Sequence, residues 1–297
     1  MLKGLAITPP VIGRISIGRV VERNGKRLPE KDDQFTLTSQ IQNREGWVLH
    51  PLDESLRKAT GGKLRSIPVR MMFNDPALNL RADYSLFDRT NGRPLCVGNG
   101  ESCRRSGKDG ITQETCPGPD TCSFAKGECK AYARLNLLVG DGEDDALGSF
   151  VLRTTSFNTI RTLTARLNYF HAVSGGRLAC MPLELKLRGK STTQSHRAPI
   201  YYVDLVVRSG LTLEQAIAKA REVDEARNAA GFNQQALDEA AHRGFANGAF
   251  EELAEDVPAI AEEFYPDVGQ PETTAAQASP AGLRGKLETK VAQLSPN

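Results

Sequence analysis

Cys96, Cys103, Cys116, Cys122 and Cys129 fall within 34 residues, and the sixth cysteine, Cys180, stands apart from them. Their spacing is C-x6-C-x12-C-x5-C-x6-C, with Gly98, Gly100, Gly107, Gly110, Pro117, Gly118, Pro119 and Gly127 between them. Such a run of turns has little apolar material to bury, so it needs a staple, and a metal ion held by thiolates supplies one. Disulfides are the competing staple, and compartment decides between the two. Residues Met1 to Arg19 show no apolar segment followed by a small-residue cleavage site, and no window approaches 18 consecutive apolar residues. The expectation is therefore a cytoplasmic chain without a membrane span, whose thiols stay reduced and act as ligands. Zn2+ closes a structural site with four tetrahedral ligands. The expected set is Cys96, Cys116, Cys122 and Cys129, with Cys103 as the alternate. Zinc closed by four thiolates has no position open to water, so the expected role is structural. Cys180 lies in the apolar run Leu178–Met181 and reads as a core residue.

Other catalytic chemistry has little support. His50, His171, His196 and His242 are isolated, and the chain contains no H-E-x-x-H, G-x-S-x-G or Walker A pattern. The expectation is that the protein is not an enzyme. The basic stretches suggest a different task. Residues 186–197 (KLRGKSTTQSHR) bring together Lys186, Arg188, Lys190, His196 and Arg197 with hydroxyl and amide side chains. Cations neutralise phosphates and release counterions, while Ser, Thr and Gln hydrogen-bond phosphate oxygens. Arg104, Arg105 and Lys108 lie among the cysteines and extend the candidate DNA contacts. Arg153 and Arg161 flank a polar strand-to-helix turn whose helix N-terminus is suited to an anion. Aromatic residues make up only 6% of the chain, which favours a phosphate-tracking surface over a base-stacking platform.

The elements that must carry these residues follow from periodicity and turn signals. Ile15–Val21 runs as a strand into Asn24-Gly25, and Phe35–Thr38 returns. Leu64–Met71 reads as an edge strand because Pro68 lacks an amide donor. Tyr132–Val139 and Phe150–Thr154 are strands, and Ser156 caps a helix whose apolar face holds Ile160, Leu163, Thr164, Leu167 and Phe170. Gly175-Gly176 ends that helix. Leu178–Leu187 and Ile200–Val207 are the last strands, linked by the basic stretch. Thr212–Gln215 is a capping box opening a helix with Leu213, Ala216, Ile217, Ala220 and Val223 on one stripe. Two shorter helices are expected near 233–243 and 249–264.

The net charge of +2 is unevenly spread. Residues 1–211 carry 31 Lys/Arg against 21 Asp/Glu, whereas residues 212–264 carry 4 against 12. A basic body suits a polyanion partner, and an acidic segment can either fold back on it or serve solubility. The expected fold class is α+β. A β-rich N-terminal part (1–95) precedes a Cys-rich zinc module (96–130) and an α+β part completing the core (131–211). An acidic helical extension (212–264) and a disordered tail (265–297) follow.

The run Gly92-Arg93-Pro94-Leu95-Cys96, the later Cys116-Pro117 with Cys122 and Cys129, the stretch Phe150–Ile160, and Ser174–Leu178 with Met181–Leu185 together resemble one family. It is the recombination directionality factor-like family of phages and mobile elements, whose characterised members serve large serine integrases. The resemblance covers roughly 1–210. Cys103 is extra to the pattern. The resemblance implies a non-enzymatic accessory protein that binds a serine integrase–DNA complex and shifts it from integration toward excision, by no more than its differential affinity for the two arrangements. An independent DNA-binding protein of mobile-element replication or repair is the alternative, and a metal-dependent hydrolase a more distant one.

Overall fold

The computed structural model describes residues 10–23, 26–43, 46–108, 110–140, 148–191, 193, 199–244, 260, 264 and 265. The chain divides into two compact units, Met1–Phe264 and Tyr265–Asn297. The expected tail lies outside the described residues apart from Tyr265, and so does most of the helix expected at 249–264.

The architecture is α+β and rich in strands. Strands β1 (Val11–Arg23), β2 (Lys26–Asn43) and β3 (Gly46–Leu49) open the chain. Helix α1 (Pro51–Thr60), β4 (Ser66–Arg70), α2 (Pro76–Asn79) and β5 (Leu80–Phe87) follow. The cysteine segment supplies β6 (Pro94–Gly98), β7 (Ser102–Gly107) and β8 (Gly110–Thr115). Then come β9 (Lys130–Val139), β10 (Ser149–Thr154) and α3 (Phe157–Val173). A 3-10 turn (Leu178–Cys180), β11 (Leu183–Ser191), β12 (Pro199–Val207), α4 (Leu213–Ala229) and α5 (Gln234–Gly244) complete the order.

One sheet runs β3-β2-β1-β10-β9-β5-β6-β7-β8, and among the described residues its pairings are antiparallel except that of β1 with β10. A second layer runs β12-β11-β4 and joins the first where Val69 and Arg70 of β4 pair with Val139 and Leu138 of β9. β4 is therefore not an edge strand. Pro68 is tolerated because its partner across from β9 is Gly140, at the end of that strand, whose N–H bonds the Pro68 carbonyl.

The core lies between the layers. Ile15, Phe35, Leu37, Ile67, Val69, Leu135, Leu137, Phe150 and Leu152 meet Ile160, Leu163, Leu167 and Phe170 of α3 and Leu183, Leu185, Val203 and Leu205 of the second layer. Thr164, expected on the apolar face of α3, is exposed, and Thr159 is buried in its place. The Thr159 hydroxyl accepts the Val203 N–H, and the Asp204 carboxylate accepts the Leu205 N–H. Two donors of β12, which pairs only with β11, are thus satisfied away from the ladder. The stripe of α4 packs on the same core, with Ala216 and Ala220 fully buried. Its capping box is formed: Thr212 N–H bonds Gln215 Oε1 at 2.9 Å and Gln215 N–H bonds Thr212 Oγ1 at 3.3 Å.

Three local expectations need correction. Helix α1 was not anticipated, although its signals are present: His50 caps it, Pro51 is its first residue and Gly61 ends it in the left-handed region. Leu178–Cys180 is a 3-10 turn, and the strand starts only at Leu183; Pro182 lies just before it. The cysteine segment holds three paired strands and a small core of its own, Leu86, Cys96, Cys103, Cys116 and Ala125. Cys180 is buried as expected, with Arg227 Nη1 donating to its sulfur at 3.6 Å.

Candidate metal centre and basic surfaces

The five clustered cysteines converge. Cys96 lies on β6 and Cys103 on β7, while Cys116, Cys122 and Cys129 lie on the irregular chain between β8 and β9. All five line one cavity of about 10 Å³ with Leu86, Arg105, Phe124 and Ala125, which is room for roughly one water-sized sphere. None is in a disulfide. The cavity depends on a glycine. A Cβ on Gly98 would meet Cys103 Cβ at 2.6 Å, the Ser102 carbonyl at 2.8 Å and Cys116 Sγ at 2.9 Å. Only a residue without a side chain lets the β6 backbone approach these thiols.

Packing thiols together makes Cys129 and Cys103 harder to ionise. Burial, and then the neighbouring Cys96, Cys122, Cys116 and Cys103, push the Cys129 thiol up to about 12. Burial, then a hydrogen bond and the charge of Cys96, push Cys103 up to about 11. A divalent cation among them would reverse that balance, since thiolates are the ligating form. The donor set therefore suits a soft metal. The sulfurs are gathered without being drawn around one point: among the described residues no group of three or more His, Cys, Asp or Glu side chains is disposed to hold an ion. Cys103 Sγ donates to the Thr115 carbonyl at 3.7 Å.

The basic residues divide into separate groups. Arg105 is absorbed by the cysteine segment: it pairs with Glu114 at 2.5 Å and stacks 4.1 Å over the Phe124 ring. Arg104 is half-buried on the same strand, and Lys108 is exposed at the β7–β8 turn.

Lys186, Arg188 and Lys190 were expected in a linking loop. They lie instead on β11, paired residue for residue with β12 as far as Ser191↔Pro199. Alternation puts all three on one face. The hairpin is buried at Leu183 and Leu185 and exposed from Arg188 onward, so its end projects from the body. His196 and Arg197 lie outside the described residues. Sequence reasoning missed two members of this face. Asp204, opposite Lys186, takes Arg188 Nε on one oxygen at 3.3 Å and Arg166 Nε of α3 on the other at 3.0 Å. Arg166 is thereby brought beside the three cations of β11. The Asp204 side chain is buried, and both arginines are nearly half exposed.

Arg153 and Arg161 do not converge on the α3 N-terminus. Leu152 is buried in the core, so Arg153, its neighbour on the strand, points to the opposite face of the sheet. There it stands beside Arg134 of β9, which stands beside Arg81 of β5, giving a row of three arginines across adjacent strands. Arg161 is exposed on α3, and Ser156 and Thr154 satisfy local amides at that turn.

No helix among the described residues is long and apolar enough to cross a membrane. No curated protein and no solved structure matches the chain. The model of the family described as Gp3-like, recombination directionality factor-like, matches residues 12–208, from the first strand to the end of β12. That match spans the whole two-layer core, the cysteine segment and the basic hairpin, roughly two thirds of the 297 residues, and the chain belongs to this family.

Proposed function

We propose that the protein is a non-catalytic accessory factor of DNA recombination in a phage or mobile element, acting in the cytoplasm on a complex of a serine integrase with DNA. The family match over 12–208 carries this reading. In physical terms the factor binds one arrangement of the recombination complex more tightly than another, and its effect equals that difference in affinity. Recombination by the integrase of the same element, assayed with integration and excision substrates, tests it: the protein should inhibit the first and promote the second. Equal rates with and without the protein in both directions would overturn the reading.

The cysteine cavity is proposed to hold one Zn2+ on Cys96, Cys116, Cys122 and Cys129. Bound there, zinc would supply folding free energy to a segment with few apolar side chains. Cys103, donating to the Thr115 carbonyl, is the thiol left out.

The projecting β11–β12 hairpin favours direct contact with DNA as part of this role. Lys186, Arg188 and Lys190 share a face with Arg166, and this spacing of cations along a strand suits a phosphate backbone. It also supports a second reading, an independent DNA-binding protein of the same element. DNA affinity of the protein alone across a salt series separates the two. Tight binding with a steep slope favours the second. Binding only in the presence of the integrase favours the first.

A further inference from the structure

Zinc closed by thiolates takes four of them, and the cavity is lined by five. Cys103 is the thiol left over. It is also the most deeply buried of the five, at 3% exposed. A nucleophilic sulfur is thus sealed among four others with no part in holding the metal.

Strand register decides which sulfur it meets. Gly98 of β6 pairs with Cys103 of β7, and Cys96 pairs with Arg105. Cys96 and Gly98 are two positions apart on one strand, as are Cys103 and Arg105 on the other. Cys96, Cys103 and Arg105 therefore leave the ribbon on one face, with the two cysteines on a diagonal. Gly98 keeps the space beside them open, since a Cβ there would lie 2.6 Å from Cys103 Cβ. Cys103 hydrogen-bonds the Cys96 thiol. The Arg105 guanidinium also donates to Cys96, and a cation beside a sulfur favours the thiolate, the form that attacks an oxidant. Cys122 and Cys129, in the same cavity wall, are partly exposed. The cavity of about 10 Å³ has room for roughly one water-sized molecule, and hydrogen peroxide is little larger.

We propose that Cys96 and Cys103 are an oxidant-responsive pair, which hydrogen peroxide joins as a disulfide with release of the metal. The release rests on the zinc site proposed above; the disulfide does not. The Cys96 thiolate attacks one peroxide oxygen, the O–O bond breaks, and hydroxide leaves and takes a proton from solvent to become water. Cys96 is then a sulfenic acid beside Cys103. The Cys103 sulfur displaces the hydroxyl: the S–S bond forms, the S–O bond breaks, and the Cys103 proton leaves with the hydroxyl as a second water. The two sulfurs lose two electrons and peroxide gains both. Zinc keeps only Cys116, Cys122 and Cys129, one ligand short of a closed site. A dithiol reductant with added zinc restores the centre.

Peroxide titration of the full-length, zinc-loaded protein tests this with two readouts. Peptide mapping without reduction should find one disulfide, Cys96–Cys103. Zinc captured by a chromogenic chelator should appear at the rate at which that disulfide forms. Cys103→Ser should load zinc and release it about tenfold more slowly under the same oxidant, because the sulfenic acid has no thiol beside it to condense with. A wild-type disulfide joining any other pair, or zinc release from Cys103→Ser at the wild-type rate, overturns the proposal. If the purified protein carries no zinc, or Cys103→Ser fails to load it, the zinc site falls, and mapping of the wild-type chain still decides the pair. Cys96–Cys103 as the disulfide upholds it, and free thiols at both positions after peroxide overturn it.

Discussion

Gly98 stands so close to Cys116 that a Cβ at position 98 would lie 2.9 Å from the cysteine sulfur. The same Cβ would clash with Cys103 Cβ and the Ser102 carbonyl. Gly98→Ala should therefore push β6 and β7 apart and open the thiol cavity, costing about 1–3 kcal/mol in the manner of an overpacked core. Denaturant unfolding with the m-value monitored reads the loss. An unchanged midpoint would show that the strands adjust freely at this point, and the cavity would not be the tight one described.

Metal removal should act on the same region. Purified protein is expected to carry one zinc per chain, and a strong chelator should expose residues 94–130 to protease while leaving the main core folded. Serine at Cys96, Cys116, Cys122 or Cys129 should abolish stoichiometric zinc, whereas Cys103→Ser should retain it. Full zinc occupancy in Cys116→Ser, or loss of it in Cys103→Ser, would show that the ligand set has been drawn wrongly.

Asp204 gives mutations of opposite sign on DNA binding. Asp204→Asn removes the charge that holds Arg166 and Arg188 and weakens the acceptor of the Leu205 N–H. It should cost roughly 1–3 kcal/mol of stability, toward the lower end because the arginines reach water. Duplex affinity should nevertheless rise. Arg188→Ala and Lys190→Ala should lower it, each reducing the salt slope by about 1. If all three variants bind like the wild type, the hairpin is ordinary surface.

His50 makes α1 sensitive to acid. Its Nδ1 accepts the Leu52 N–H at 3.3 Å as the N-cap, and its ring packs 4.9 Å from Phe150. Burial lowers its pKa below the usual histidine value. The folded state thus holds the proton less tightly than the unfolded one. The contribution is fully present above the unfolded pKa of about 6.5 and is lost as pH falls through the lower folded value. His50→Asn keeps a capping acceptor and should remove this pH dependence, while His50→Ala should lose about 1 kcal/mol at every pH. Parallel stability–pH curves for wild type and His50→Asn would refute the cap's role.

Much of the local structure was legible in the sequence because its causes are local. The Thr212–Gln215 capping box, the Ser156 cap and the glycine stop at 175–176 rest on contacts within a few residues, and all are present. Helix α1 carried equally local signals at His50, Pro51 and Gly61. The α+β class and the family resemblance followed from such elements in order.

The sequence by itself determined which residues could ligate a soft metal, where charge accumulates and where helices begin and end, because residue type, short-range spacing and turn chemistry carry that information. Only the tertiary structure decided what those residues face. Strand register between β5, β9 and β10, separated by tens of residues, aligned Arg81, Arg134 and Arg153 and took Arg153 away from the helix terminus. Pairing of β11 with β12 turned a presumed loop into a strand and brought Asp204 to Arg188. Pairing of β6 with β7 put Gly98 against the thiols. A one-residue change in any of these registers would send every side chain to the other face, and register is selected by burial across the whole sheet, a quantity that no short window of sequence contains.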